Sequence, residues 1–407
     1  MNVTRQEWRD AGFYCAFGSA ATTVVSIAVS QILLGLAIVA LLAARERPRI
    51  PPVWLPLGLF MLGTIVSVAF SEDPWVGRSQ IKKFYVLLML VVVYTAFRTL
   101  EQVRLLVIAW AAAAAVSAAW SLGQFYQKWD EAHELHKNFY KFYNGDRITG
   151  LLGHWMTFGG VEMIVLLMGL ALLLYSRDVK WKTWLAAFLA ILGISLVLGW
   201  TRSIWLGTGC GGFYLLWNWR KWVIPAVLVP AAVVVLWANP LEVRDRAFSA
   251  FAPHGSVDSN AYRAICLRTG QAVIRAHPWL GLGPDTLKTQ FKRWIPPDIP
   301  PSTWPDGYYQ HLENLYLQYA AERGIPTLAA LLWMLGKILF DFVRAIRRPE
   351  ISTEARFILH GSIAILIGIL IAAWYEVNLG DSEVLAAFLS ITACGYLAVD
   401  TARTAHA

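Results

Sequence analysis

Long apolar runs alternate with short polar loops along almost the whole chain. The apolar runs fall at about 13–44, 52–70, 81–97, 103–125, 160–176, 183–200, 203–218, 222–238, 326–343, 357–375 and 383–399. Several reach the ~20 residues needed to cross a bilayer core of about 30 Å. Hydrocarbon offers no partner to backbone N–H and C=O groups, so such runs are expected to be helices. The first run is too long for one upright span. It predicts either a single tilted helix or a hairpin of two short helices turning between Gly18 and Ser30, and this choice separates eleven spans from twelve. The expected fold is all-α: a polytopic transmembrane helical bundle of about twelve spans with one large periplasmic helical loop domain. Its expected parts are an N-terminal bundle of about nine spans at 1–238, the large loop at 239–325 and C-terminal transmembrane helices at 326–407.

Composition supports the same class. Hydrophobic residues make up 57% of the 407 and charged residues only 15%, against about 25% charged in a soluble domain. The net charge of +8 would suggest nucleic acid in a soluble protein. Here the Lys and Arg residues gather in short loops, which fits control of membrane orientation, and no nucleic-acid partner is expected. One set of loops carries Arg45/Arg47/Arg49, Arg98/Arg104, Arg177/Lys180/Lys182, Arg220/Lys221 and Arg344/Arg347/Arg348/Arg356. These are assigned to the cytoplasm. Arg5 and Arg9 place the N-terminus there too, which favours twelve spans, and the C-terminal tail follows. Lys82 and Lys83 fall near the opposite side and break the rule locally. No cleavable signal peptide is expected, because the first apolar run is long and is followed by arginines. Cys15, Cys210, Cys266 and Cys394 are scattered and imply neither a disulfide framework nor a zinc site. Trp54, Trp181 and Trp222 at span ends suit membrane interfaces.

The outer side then holds 126–159, a short turn at 200–203, the loop at 239–325 and a turn at 376–382. The large loop mixes nine Lys/Arg with eight Asp/Glu. Its stretch at about 258–277 predicts an amphipathic helix with Ala264, Leu267, Gln271 and Ile274 near one face. The breaker-rich run from His277 to Pro284 predicts a turn. Pro296-Pro297-Asp298-Ile299-Pro300-Pro301 excludes regular helix, and a second helix is expected from near Tyr308 toward Pro326.

Four outer features carry candidate chemistry: Arg147 within Gly145–Gly150, Arg202 between two spans, Arg263 in the loop helix, and the run from His311 to Gly324. An arginine at membrane depth costs at least ~2.5–3.5 kcal/mol on insertion scales and persists where it lines a polar cavity or meets an anion. The bland reading of Arg202 is a snorkelling side chain at a tight turn. For Arg147 and Arg263 it is an ordinary loop arginine. All three nevertheless fall on one side of the membrane by the loop-charge argument. Guanidinium groups bind phosphate bidentately and keep their charge, so converging arginines suit a pyrophosphate leaving group. A base is then needed for the attacking hydroxyl. His311 has a suitable ordinary pKa, and Glu313 is the alternative. On a regular helix Glu313 would point roughly 160° away from His311; at an unwound helix entry both would reach one cavity. The bland reading is a surface histidine and a helix-start glutamate. Asp381 reads as a helix cap, and the role of Glu376 stays open.

These residues resemble the O-antigen ligase and polymerase superfamily of bacterial envelope glycan enzymes. The resemblance covers about residues 50 to 395 as a span pattern with one large outer loop before the last helices. Its more specific parts are Thr201-Arg202-Ser203, Arg263 with the run His277–Gly283, and His311–Gly324. The resemblance implies an all-helical fold and a metal- and cofactor-independent, inverting glycosyltransferase in the bacterial inner membrane. It implies a glycan donor on undecaprenyl pyrophosphate and an acceptor such as lipid A-core, with the active site facing the periplasm among membrane lipids. Arg202, Arg263 and Arg147 would hold the pyrophosphate, His311 or Glu313 would act as base, and Asn314 would orient the acceptor. The chain departs from the pattern at Glu313, where the family's usual base is a histidine directly before the asparagine. Ligase is preferred over polymerase because the outer segments are modest in size. A transporter is the rival from another class, but no internal repeat pairs the two halves.

Overall fold

The structure, a computed structural model, describes residues 4–176, 182–233, 237, 239–251, 260–304, 309–349 and 351–404. Among them every regular element is a helix. Arg177, Lys180, Trp181 and Tyr308, which entered the sequence reading, lie outside the described residues.

The first apolar run is a hairpin. α1 (Arg5–Thr22) opens with a capping box in which Thr4 and Glu7 satisfy each other's end groups, and α2 (Ile27–Ala43) follows. The turn is fixed by the Ser19 hydroxyl donating to the Ser30 carbonyl at 2.7 Å, with Thr23 and Ser30 hydroxyls 3.0 Å apart. These small polar groups supply the partners that an apolar turn would lack. α3 (Trp54–Ala69) is followed by α4 (Pro74–Lys82), which begins on the Asp73 cap and a proline, both favoured at helix starts. α4 was not anticipated, because its mixed polarity hides it between two apolar runs. α5 (Phe84–Ala96) continues it beyond a break at Lys83.

α6 (Leu100–Glu134) carries on well past the expected end at 125, into polar sequence, and α7 (Phe139–Gly145) is a short aromatic-rich helix. α8 (Trp155–Tyr175), α9 (Lys182–Leu198), α10 (Arg202–Trp219) and α11 (Val223–Val233) follow the apolar pattern. The large loop contains α12 (Val243–Phe248), α13 (Asn260–Ala276) and α14 (Leu287–Gln290). α15 (Leu315–Ile346), α16 (Thr353–Ala372) and α17 (Ser382–Thr404) complete the chain. The expected helix before Pro326 and the span after it are the two halves of α15, which meet at non-helical backbone at Gly324 (φ +80°, ψ +162°); the first half starts at Leu315, later than expected.

By length and apolarity six segments can cross a membrane: 74–96, 100–134, 155–175, 315–346, 353–372 and 382–403. Three shorter apolar helices, α2, α3 and α9, accompany them. α8, α16 and α17 form the centre, with side chains buried around most of their circumference. α10 lies close against α16 because its contact face is small. A side chain at Gly207 would strike the Gly368 carbonyl, and one at Gly211 the Ala364 carbonyl. Small residues of this kind let helix backbones approach in a bilayer.

The N-terminal segment, the loops at 45–49 and 98–104, the start of α16 and the end of α17 gather at one end of the bundle. Glu46 pairs with Arg9 and Arg98 at 3.2 and 2.9 Å, Arg49 with Asp400 at 2.7 Å, and Arg104 with Glu354 at 3.3 Å. The large loop sits elsewhere and has an apolar core of its own, built on Cys266, Val273, Leu287 and Phe291. The buried face of α13 is that of Tyr262, Ile265, Cys266, Thr269 and Val273. The expected stripe is therefore displaced: Ala264, Leu267 and Gln271 are exposed. The cause is that Tyr262 and Cys266 outweigh Leu267 in the loop's core, which helical spacing alone does not reveal.

The run from His277 to Gly283 has a structural job. Leu282 and Gly283 N–H groups donate to the carbonyls of Ala321 and Glu322, and Ile325 N–H donates to Pro278. This clasp holds the loop on the kink of α15. Gly281 (φ +69°) abuts the backbone of Glu322 and Arg323, Gly324 (φ +80°) that of Trp279 and Leu280, and a Cβ on Gly324 would lie 2.0 Å from the Trp279 carbonyl oxygen. Gly324→Ala is expected to destabilise the protein by at least about 1–3 kcal/mol, the usual range for one strained backbone residue. A lower thermal midpoint in detergent, with earlier proteolysis in the 278–325 region, is the readout; an unchanged midpoint would contradict the clasp.

Candidate functional site

Two cavities lie side by side at the end of the bundle that carries the large loop. The larger, of about 720 Å³, is lined by Arg202, Ser203 and Trp205 from α10, Asn260 and Arg263 from α13, and Tyr375. Leu206, Ala247, Ala250 and Phe251 give it an apolar flank. Leu206 and Phe251 are exposed. The described residues lining this cavity include two arginines and no carboxylate.

Arg202 is the first residue of α10. Its guanidinium donates to Ser249 Oγ and Asn260 Oδ1, each at 3.0 Å. Asn260 begins α13, and Arg263 stands one turn further along, so the Arg202–Asn260 bond draws both arginines to one wall. Arg263 donates to the Tyr375 carbonyl at 3.3 Å and faces the Tyr375 ring, while its buried Nε has no partner. No side chain caps α10, because the Thr201 hydroxyl donates to Gly199 instead. The start of α10 thus adds the positive end of a helix dipole to the two guanidiniums.

The turn before Arg202 is rigid. Trp200 is fully buried with φ +50°, packed among Phe139, Tyr140 and Tyr143. Its carbonyl accepts from Arg147 at 3.3 Å and from Arg246 at 3.0 Å. Arg147 therefore stands behind the arginine cavity and is not among the residues lining it. Burial, followed by neighbouring Arg246, pushes the Arg147 pKa down to about 9, which still leaves it charged at neutral pH. Arg246, only 4% exposed, was not singled out in the sequence. Its sole signal there is an arginine beside an acidic residue in a polar loop, a pattern that ordinary surface helices share.

The second cavity, of about 200 Å³, is lined by His311 and Glu313, by His154, and by Glu376 and Asp381. Lys83, Asp285 and Arg323 form its far wall. The helix α15 begins only at Leu315, and Glu313 has φ +50°. The His311–Asn314 stretch is thus an unwound helix entry, and both candidate bases reach one cavity. His311 Nδ1 lies 3.1 Å from Glu313 Oε1, close enough to pair, although the angle is not that of a formed hydrogen bond. His311 is 43% exposed at its side chain and Glu313 only 11%. His154 has its pKa lowered by burial, against the pull of Glu313.

Asn314 caps α15. Its Oδ1 accepts from Leu317 N–H at 2.9 Å and its Nδ2 donates to the Trp374 carbonyl at 3.0 Å. Both ends of the amide are thereby engaged in holding the helix entry. Lys83 donates to the Gly380 carbonyl at 2.6 Å. The one local breach of the loop-charge pattern therefore belongs to this cavity. Arg323 donates to Gln80 at 3.0 Å, pairs with Glu322 and lies over the Tyr319 ring. Asp381 accepts from Thr157 at 2.8 Å rather than capping a helix through its side chain. Its pKa is raised by burial.

Glu376 stands at the boundary. It lines the second cavity, and Ser203 on the wall of the first donates to its Oε1. Among the described residues no group of three His, Cys, Asp or Glu side chains is arranged to hold a metal ion.

Fold and site together define a helical protein with membrane-crossing segments, a cationic cavity and an adjoining cavity holding a histidine–carboxylate pair. A model of the O-antigen ligase family matches residues 187–332, and this supports the O-antigen ligase superfamily. The match takes in Arg202, Arg263, His311 and Glu313 but not Arg147 or Glu376. Comparison with curated proteins gives no match.

Removing the α15 cap tests the local architecture. Asn314→Ala is expected to cost about 1 kcal/mol from the cap alone, with further loss from the Trp374 bond. Asn314→Asp keeps the cap and loses only that second bond. The thermal midpoints should rank wild type, Asp, Ala; equal midpoints for all three would show that the asparagine does not organise the entry.

Proposed function

We propose that the protein is a multi-pass glycosyltransferase of the bacterial inner membrane, transferring a glycan from undecaprenyl pyrophosphate to an acceptor hydroxyl at the periplasmic face. The observation that carries this reading is the shared wall between a cavity lined by Arg202 and Arg263 and a cavity holding His311 and Glu313. The apolar flank of the first cavity suits the start of a lipid chain. Its arginines and the uncapped start of α10 suit a pyrophosphate. Preorganised positive charge of this kind favours the transition state, because negative charge grows on the departing pyrophosphate.

In the reaction the acceptor oxygen bonds to the anomeric carbon as the bond from that carbon to the pyrophosphate oxygen breaks. The acceptor's proton passes to His311 Nε2, while the Glu313 carboxylate, 3.1 Å from Nδ1, stabilises the positive charge that the ring gains. This division follows the exposure of the pair: the histidine is open to the cavity and the carboxylate is enclosed. A carboxylate beside a histidine favours the protonated ring that a general base becomes. Glu313 occupies the place of the family's usual base and has become its partner. Attack opposite the leaving group inverts the anomeric centre. The chemistry uses no metal or cofactor. Arg147 and Arg246 act from behind, fixing the Trp200 turn and adding positive potential.

Counting the shorter helices α1, α2, α3, α9, α10 and α11 as spans beside the six longer segments gives the twelve-span arrangement, with the basic end in the cytoplasm. Lipid A-core is the preferred acceptor. Transfer onto a second carrier-linked glycan would instead make the protein a polymerase, and the product separates the two: one glycan on lipid A-core, or a ladder of repeat units on carrier lipid.

Arg202→Ala and Arg263→Ala are each expected to lower kcat/KM by at least about 100-fold, in line with loss of one transition-state donor, while the protein remains inserted and folded. Turnover retained in both variants would remove the pyrophosphate role. His311→Ala should lower kcat by roughly 100- to 10,000-fold, the usual range for a lost general base. Glu313→Gln should lower it less. A larger loss in Glu313→Gln than in His311→Ala would make the carboxylate the base.

A further inference from the structure

The stretch that follows α16 touches every part of the site. The Ala373 carbonyl accepts from Leu315 N–H at 2.9 Å, and the Trp374 carbonyl accepts from Asn314 at 3.0 Å. The Tyr375 carbonyl accepts from Arg263, and the Glu376 carboxylate accepts from Ser203. Glu376 is 2% exposed, and its second oxygen, Oε2, is buried without a partner. The charged groups that face it come from four elements: Arg147 before α8, Arg263 on α13, Glu313 before α15 and Asp381 before α17.

We propose that Glu376 is a positioning residue that carries a proton whenever a diphosphate occupies the arginine cavity, so that the wall it forms with Ser203 stays neutral behind the ligand. The proposal rests on the pyrophosphate reading of that cavity. As a carboxylate, Glu376 would compete with the diphosphate for Arg263 and repel it across a dry wall. As a neutral acid, it keeps the Ser203 bond, leaves Arg263 to the ligand and still holds the two cavities together. Burial pushes the Glu376 pKa up to about 8, with Ser203 and Arg263 opposing.

The sign follows from linkage. If the bound form holds the proton, diphosphate affinity is independent of Glu376 below about pH 8. Above it, affinity falls by roughly tenfold per pH unit, one proton per ligand. A diphosphate diester has no proton of its own to lose in this range.

The test uses the full chain in lipid nanodiscs and undecaprenyl diphosphate bearing N-acetylglucosamine, a diester whose binding needs no acceptor. Binding is measured from pH 6 to 9.5 for wild type, Glu376→Gln and Glu376→Ala. Wild type should lose affinity roughly fivefold between pH 8 and 9, and still more steeply beyond. Glu376→Gln, which stays neutral, should bind as wild type does at pH 7 and show no alkaline fall. Glu376→Ala, which loses the Ser203 bond, should bind more weakly than wild type at pH 7 and likewise show no alkaline fall. An identical fall in Glu376→Gln, or a flat wild-type profile with binding intact, overturns the proposal. Absence of binding by all three proteins at every pH would instead defeat the pyrophosphate reading itself, and this inference with it.

Discussion

Backbone groups at the ends of helices have no partner within their own helix, and this protein uses that deficit to assemble its site. α16 ends at Ala372, and the carbonyls just beyond it point outward. The N–H of Leu315, itself left over at the start of α15, finds one of them, and the Asn314 side chain finds the next. Arg263 takes the third. Such bonds are modest singly, about 0.5–1.5 kcal/mol net, but leaving those groups unpaired in a dry interior would cost more. The arrangement of arginines, histidine and carboxylate is thus enforced by the need to satisfy main-chain polarity where water is scarce.

Much of the bundle was legible in the sequence, because apolar runs of membrane length have few other outcomes. The hairpin at the start was open between two forms until the Ser19–Thr23–Ser30 cluster resolved it. What escaped was the polar helix α4 and the polar end of α6, where no apolar period marks a boundary. The displaced face of α13 escaped for a related reason: helical spacing gives a stripe, while the residues that fill the loop's core decide which stripe.

The grouping of the candidate residues was legible in part. Arg202 and Arg263 do share a cavity, and the unwound entry of α15 brings His311 and Glu313 to one neighbouring hollow. Arg147 belongs instead to the support of Trp200, alongside Arg246, and Asn314 is spent on its helix. The His277–Gly283 run, conspicuous by its glycines and tryptophan, serves as a clasp and not as a wall of either cavity. Lys83 is the instructive miss. Its breach of the loop-charge pattern was visible in the sequence, and the structure gives the breach a place beside Gly380 and Asp381.

The clasp and the α16 terminus have a consequence for biosynthesis. The loop can dock only once residues 321–325 have been made, and the arginines meet the base only once 373–376 have followed. A nascent chain already holding Arg202, Arg263 and His311 therefore has no assembled centre until its last helix is under synthesis. Premature release, or loss of the final two helices, yields a protein that inserts into lipid yet never gathers its parts.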